Sequence, residues 1–226
     1  MLMLLIGALA TAQPAPPVTA LDAERAFAAE AQSKGQWTAF RHWADPTAVM
    51  FTPQAVWAQQ FLKDKPDPAH APRWAPSDSY VSCDGRTAVN VGQWRGTGSP
   101  SSSGSFATIW MRQASGDWRW TVDGGAPAKV TALPGRARTV RASCANPAGA
   151  ARAFAASTSA TAALEAPPGD AGQGRSADGT IAYKWTVAPN GERHFTVRQW
   201  GGSAYRVVVD QRDRTAASPP APKLRP

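Results

Sequence analysis

The chain has 226 residues, 43% of them hydrophobic and only 18% charged, with ten tryptophans; that composition excludes a disordered polymer and supplies a core. The net charge of +8 is confined to one part: the first 126 residues carry ten Lys/Arg against ten Asp/Glu, and the rest carry fourteen against six. The cations of that second part are scattered rather than striped, so no nucleic-acid partner is expected.

In chain order, residues 1–12 (MLMLLIGALATA) form an apolar run too short to span a bilayer, ending in the small residues Ala10-Thr11-Ala12. This is the pattern of a signal peptide cleaved before Gln13, although its start lacks Lys or Arg. The competing reading is a frayed apolar N-terminus on a cytosolic protein. The expected location is periplasmic or secreted, with no transmembrane segment. Residues 13–18 are a Pro-rich linker. Thr19 then caps a helix running to Lys34, with acidic Asp22 and Glu24 in its first turn, an apolar stripe of Ala23, Phe27 and Ala31, and Gly35 as its stop. Residues 37–44 repeat large residues at helical spacing and end at Asp45-Pro46, because the residue before a proline avoids the helical region.

Residues 47–52 are a short strand, and Pro53 opens a third helix that carries Trp57 and Phe61 one turn apart. After a proline-rich loop over 63–76, strands at 79–83 and 87–94 flank Asp84-Gly85, a tight-turn pair. Residues 106–125, FATIWMRQASGDWRWTVDGG, alternate in steps of two on both sides of a Gly/Asp loop and read as an antiparallel hairpin. Its three tryptophans, Trp110, Trp118 and Trp120, demand a cover.

Helix, helix, strand, helix and meander is the order of elements in the nuclear transport factor 2-like superfamily. Residues 20–125 resemble its SnoaL-like, largely uncharacterised secreted branch. The likeness is carried by Ala23-Glu24-Arg25-Ala26-Phe27, by His42-Trp43-Ala44-Asp45-Pro46 before Phe51-Thr52-Pro53, and by Trp110 ahead of Trp118-Arg119 and Asp123-Gly124-Gly125. The resemblance implies an α+β domain over 19–126: a cone-shaped curved antiparallel sheet wrapped around three N-terminal helices and open onto an apolar pocket. It also implies a homodimer through the open face of the sheet.

Residues 127–148 read as a basic linker. Residues 149–211 hold an Ala-rich helix and a three-stranded β-meander, a smaller C-terminal extension, and 212–226 a disordered tail. The meander echoes the first half: Asp178-Gly179-Thr180 sits like Asp84-Gly85-Arg86, residues 205–210 parallel 118–123, and residues 151–156 repeat the texture of 24–29. Either it is a degenerate half-repeat, or it reflects the likeness that any two meanders share.

Chemical motifs are sparse. The chain holds no Gly-x-Ser-x-Gly elbow, His-Glu-x-x-His or phosphate loop, and Gly172-Gln173-Gly174 lacks the strand context of a dinucleotide site. Cys83 and Cys144 pair if the chain is exported and stay small apolar residues if it is not; with no second nearby ligand they make no zinc set. No metal and no cofactor are expected. Trp37, Phe40, Trp57, Tyr80, Trp94, Trp110 and Arg112 are the candidate pocket residues, though aromatic residues at such positions also simply build cores. Enzymes of the resembled superfamily shuttle a proton on a buried Asp or His, and His42 and Asp45, three apart, are the candidates for that role; Asp45 is equally explained as a turn residue. Asp123 reads as a strand-surface residue on the face of Arg119 and Thr121. Without a convergent acid/base set, the reading is a protein that binds a small apolar molecule in the cone without catalysis. The alternatives are a proton-transferring isomerase or cyclase, and an envelope interaction protein that uses its basic C-terminal half.

Overall fold

A computed structural model of the chain describes residues 18–97, 102–157 and 171–214. The expected signal peptide at 1–12 lies outside the described residues, as do 13–17 and 215–226. Helix α1 is Ala20–Lys34. The Thr19 hydroxyl accepts from the Asp22 amide while the Asp22 carboxylate accepts from the Thr19 amide, which closes a capping box. Helix α2 (Gln36–Trp43) starts just after Gly35, and the Asp67 carboxylate accepts from the free amides of Trp37 and Thr38 at its N-terminus.

Strand β1 (Ala44–Phe51) follows at once. Here one expectation is corrected: the segment after Pro53 does not go straight into a helix. It turns back as β2 (Ala55–Trp57), antiparallel to β1, and α3 is only Ala58–Leu62. Val56 and Trp57 pair with Met50 and Val49 and pack on the two separate cores described below. A β-branched and an aromatic residue suit such a two-faced position better than one more turn of helix.

Strands β3 (Arg73–Val81), β4 (Thr87–Arg95), β5 (Ser103–Arg112) and β6 (Trp118–Pro127) form the meander, each antiparallel to the next. The stretch read as a basic linker contains β7 (Arg138–Arg141), which runs parallel to β3. Its side chains show no strand pattern; backbone pairing with an open sheet edge and the Arg138–Asp78 ion pair hold it. The first sheet therefore has seven strands in the order β2-β1-β6-β5-β4-β3-β7. Wrapped around α1, α2 and α3, it is the curved α+β architecture that the resemblance implies.

The second unit is α4 (Pro147–Ser157) followed by β8 (Ala171–Arg175), β9 (Ile181–Val187), β10 (Arg193–Trp200) and β11 (Tyr205–Asp213), in the order β11-β10-β9-β8. It has four strands rather than three, and β11 continues past the expected start of the tail. Strand β8 escapes a reading by alternation because two of its five residues are glycine. A Cβ at Gly172 or Gly174 would lie 2.3 Å from the ring of Trp185 or the hydroxyl of Tyr183, so only glycine lets β8 lie against β9 there.

Two cores result. Trp110, Trp118 and Trp120 face the helices and pack with Phe27, Trp43, Leu62 and the half-buried Phe40. On the other face of the sheet, Val49, Val89, Ile109 and Val122 meet Ile181, Trp185, Phe195 and Val197 of the second sheet. The face expected to carry a homodimer is thus covered by this chain's own C-terminal sheet. A disulfide between Cys83 and Cys144, with Cα atoms 5.1 Å apart, ties the β3–β4 turn to the segment that enters α4. At the same place the Cys83 amide donates to Thr180 Oγ1 (2.9 Å) and the Asp84 amide to Asp178 Oδ2 (2.7 Å). Among the described residues, no helix is long and apolar enough to cross a membrane.

Candidate functional site

Between α1, α2 and the helix-facing side of the first sheet lies a cavity of about 230 Å³. Phe27, Phe40, Trp74, Trp94 and Phe106 supply apolar walls, and two carboxyls, Glu24 and Asp123, stand among them.

Glu24 arrives on α1. The helix turns one stripe to the sheet, and Ala20, Ala23, Glu24, Phe27 and Ala31 are all buried on it. Glu24 is fully buried and accepts three hydrogen bonds, each from a different strand: from Trp74 Nε1 at 2.9 Å, from Trp110 Nε1 at 2.7 Å and from Asn90 Nδ2 at 3.3 Å. Burial raises its pKa to about 7, against the pull of the indole and amide donors and with a further push from the charge of Asp123.

Asp123 reaches the same cavity because of a bulge. Trp110 pairs with Trp120 but Ile109 pairs with Val122, so Thr121 is an extra residue in β6. Past it the alternation inverts. Val122 turns to the second sheet and Asp123 to the cavity, which overturns its reading as a surface residue on the face of Arg119 and Thr121. Thr108 Oγ1, its cross-strand partner, donates to Asp123 Oδ1 at 2.6 Å. Burial lifts this carboxyl to about 6, opposed by that hydrogen bond and by the charge of Arg193. Arg193 comes from the second sheet. It is buried, donates to the carbonyl of Gly125, lies 4.5 Å from the Phe51 ring and pairs with Asp213 at 3.6 Å.

The two carboxyls differ in what they have left to offer. Both oxygens of Glu24 are occupied, so it pins α1 to three strands. Among the described residues Asp123 takes only the Thr108 hydroxyl, on one oxygen, which leaves the other for whatever enters.

Of the residues expected from the sequence, Phe40 and Trp94 line the cavity, and Trp110 bounds it from behind as the donor to Glu24. Trp37 packs edge-on against Phe40 with Lys65 above its ring. Trp57 and Tyr80 lie on the opposite face of the sheet, with the second core. Arg112 is exposed at the end of β5 and donates to the Gly116 carbonyl. His42 is half exposed, 2.7 Å from Glu30, and Asp45 accepts from the amide and hydroxyl of Thr47 as a turn residue. Neither lines the cavity. By sequence Glu24 reads only as a first-turn acid, although it stands three and seven residues before Phe27 and Ala31 on their buried face; Asp123 escapes because no residue type announces a bulge. Among the described residues, no group of three or more His, Cys, Asp or Glu is placed to hold a metal ion.

No protein-family model matches the chain, and no curated protein matches it. Solved structures similar to it include a putative ketosteroid isomerase from Parabacteroides distasonis, 14% identical, covering 48% of this chain and 88% of that one with a TM-score of 0.41. A ketosteroid isomerase-like protein from Erwinia carotovora atroseptica is 11% identical, covering 49% and 95%, with a TM-score of 0.39. The CaMKII hub of S. rosetta is 18% identical, covering 51% and 100%, with a TM-score of 0.37. Each of these likenesses is to about half of the chain.

Proposed function

We propose that the first unit of this protein binds a small, mostly apolar molecule carrying one hydrogen-bonding group, and that Asp123 is the residue that meets that group. The observation that carries this reading is the pair of carboxyls inside an aromatic cavity of about 230 Å³. At ~30 Å³ per water the space equals roughly eight waters, so the ligand is small. Near neutral pH the carboxyl of Asp123 is available in both forms, to donate to a carbonyl or accept from a hydroxyl. The test is calorimetric titration with cyclohexanone and phenol across pH 5–8. Binding should be saturable, and Asp123→Asn should remove the part of its pH dependence centred near pH 6, leaving the part due to Glu24 near pH 7. If neither probe binds, or if Asp123→Asn leaves the pH dependence intact, the reading is wrong.

Proton transfer is the second reading, favoured by one observation: both carboxyls are pushed toward neutrality, where a single group can take and return a proton. Its signature is wash-in of deuterium at the α-carbon of a bound ketone, followed by NMR. Replacing Asp123 by Asn should slow the exchange ~10²-fold or more. No exchange above buffer in the wild-type protein would leave binding alone. The Cys83–Cys144 disulfide supports an oxidising compartment, and we place the protein in the periplasm or outside the cell; alkylation of the protein isolated from its source, with and without reductant, tests this.

A further inference from the structure

The second sheet has a hollow of its own, of about 110 Å³, on the side that carries α4. It occupies the place that the first cavity has under α1. Asn90, Thr108 and Asp123 stand in one cross-strand row beneath α1, and Lys184, Thr196 and Asp210 form the matching row beneath α4. Phe154 of α4 lines the second hollow as Phe27 of α1 lines the first. The chemistry is inverted. Where the first unit has Glu24 and Asn90, the second has Ala151 and Lys184.

The floor of this hollow includes Ala182, whose methyl leaves it open. Strand register sets Arg175 and Arg198 on either side of Ala182, with Lys184 next on the same face. Like charges on neighbouring cross-strand positions repel, so the cluster costs stability unless something negative sits in it. Among the described residues, no carboxylate lines it. Among the described residues, neither the Lys184 ammonium nor the Arg198 guanidinium donates to an acceptor, although Arg198 is half-buried. Asp210, the carboxylate on that face, is engaged by His194 at 2.6 Å and Arg212 at 3.5 Å. By contrast, Arg41 donates to two carbonyls and Arg206 to Gln199 Oε1. Arg175 lies 5.3 Å from the Phe154 ring, which holds its charge at the rim.

We propose that this hollow is an anion site for a phosphate group, bound by Lys184 and Arg198 with Arg175 at its edge. Three cations match a group carrying more than one negative charge better than a single carboxylate, and the guanidinium fork suits two phosphate oxygens. At ~30 Å³ per water the space equals about four waters, which admits one phosphate group. The assignment does not depend on what the first cavity binds.

The test is isothermal titration of the full oxidised chain with inorganic phosphate at fixed ionic strength, with chloride as control. Saturable binding is expected, weakened about tenfold or more in Lys184→Met/Arg198→Met. Ala182→Leu keeps both charges but fills the floor, and should weaken binding too; circular dichroism melts establish that the variants fold. Co-sedimentation with vesicles containing phosphatidic acid, a phosphomonoester, that free phosphate displaces assigns the site to a lipid headgroup, and phosphate binding without co-sedimentation assigns it to a soluble phosphate. Equal phosphate affinity in wild type and both variants overturns the proposal. So does wild-type uptake no greater than that of chloride combined with no co-sedimentation.

Discussion

Thr108 faces Asp123 across β5 and β6, and Thr196 faces Asp210 across β10 and β11, each pair on the helix-bearing side of its sheet. The β5–β6 and β10–β11 pairs each slip register once, between Ile109 and Trp110 in one and between Val197 and Arg198 in the other. Their entry turns share chemistry as well: Ser82 and Ser176 each donate to an Asp two residues on, and Gly85 and Gly179 follow at φ of 71° and 74°. Yet Asp123 is sunk among aromatic rings and Asp210 is exposed beside a histidine and an arginine. Among the described residues, the first unit has three helices over its face and the second has one. The helices covering the first sheet put its Thr–Asp pair in a low-dielectric cavity, where burial raises Asp123, whereas the second pair lies on a surface.

The comparison can be broken or sharpened, beginning with the contact that joins the two units. Phe195 is fully buried between the sheets, so Phe195→Ala should cost about 3–5 kcal/mol and lower a single cooperative calorimetric transition for the whole chain. Two separate transitions would show the units to be independent. The disulfide closes a separation of 61 residues, and Cys83→Ser/Cys144→Ser should cost about 2–4 kcal/mol in urea denaturation.

The next effect is one of pH. Glu24 titrates near 4.5 when exposed and near 7 when folded, so the native state keeps a proton that the unfolded chain releases. The stability due to its neutral form is complete below about 4.5 and is lost as the pH rises through about 7, roughly 3 kcal/mol in all. Glu24→Gln should flatten that fall; an unchanged slope in thermal melts from pH 4.5 to 8 would remove Glu24 as its source. The smallest effect tests the paired aspartates directly. Asp123→Asn should flatten the part of the slope between about pH 4 and 6, because Asp123 is raised from 3.8 to about 6. Asp210→Asn should change stability by no more than ~0.5 kcal/mol at any pH. Equal effects at the two positions would mean that burial does not separate them.

Much of this architecture was open to reading from periodicity. The capped first helix, the Asp84-Gly85 turn, the tryptophan hairpin and the echo in residues 178–210 all rest on local chemistry: hydrogen bonds to neighbouring amides, positive φ, and side chains alternating across a strand. Strands β7 and β8 did not yield to it. An arginine-rich strand and a glycine-rich strand carry no apolar alternation, and each exists because an existing sheet edge offers backbone partners.

The amino-acid sequence by itself determined where the chain turns, which faces are apolar, and that Trp110, Trp118 and Trp120 must be covered. Only the tertiary structure decided that helices cover them while the second sheet takes the opposite face. It alone decided, too, that one extra residue at Thr121 swings Asp123 into the cavity with Glu24. The reason is physical. Local hydrogen bonding and alternation act over a few residues and are written into neighbouring positions. The protonation of a carboxyl depends on what lies within a few ångströms of it, and here that comes from residues 50, 66 and 86 positions away along the chain.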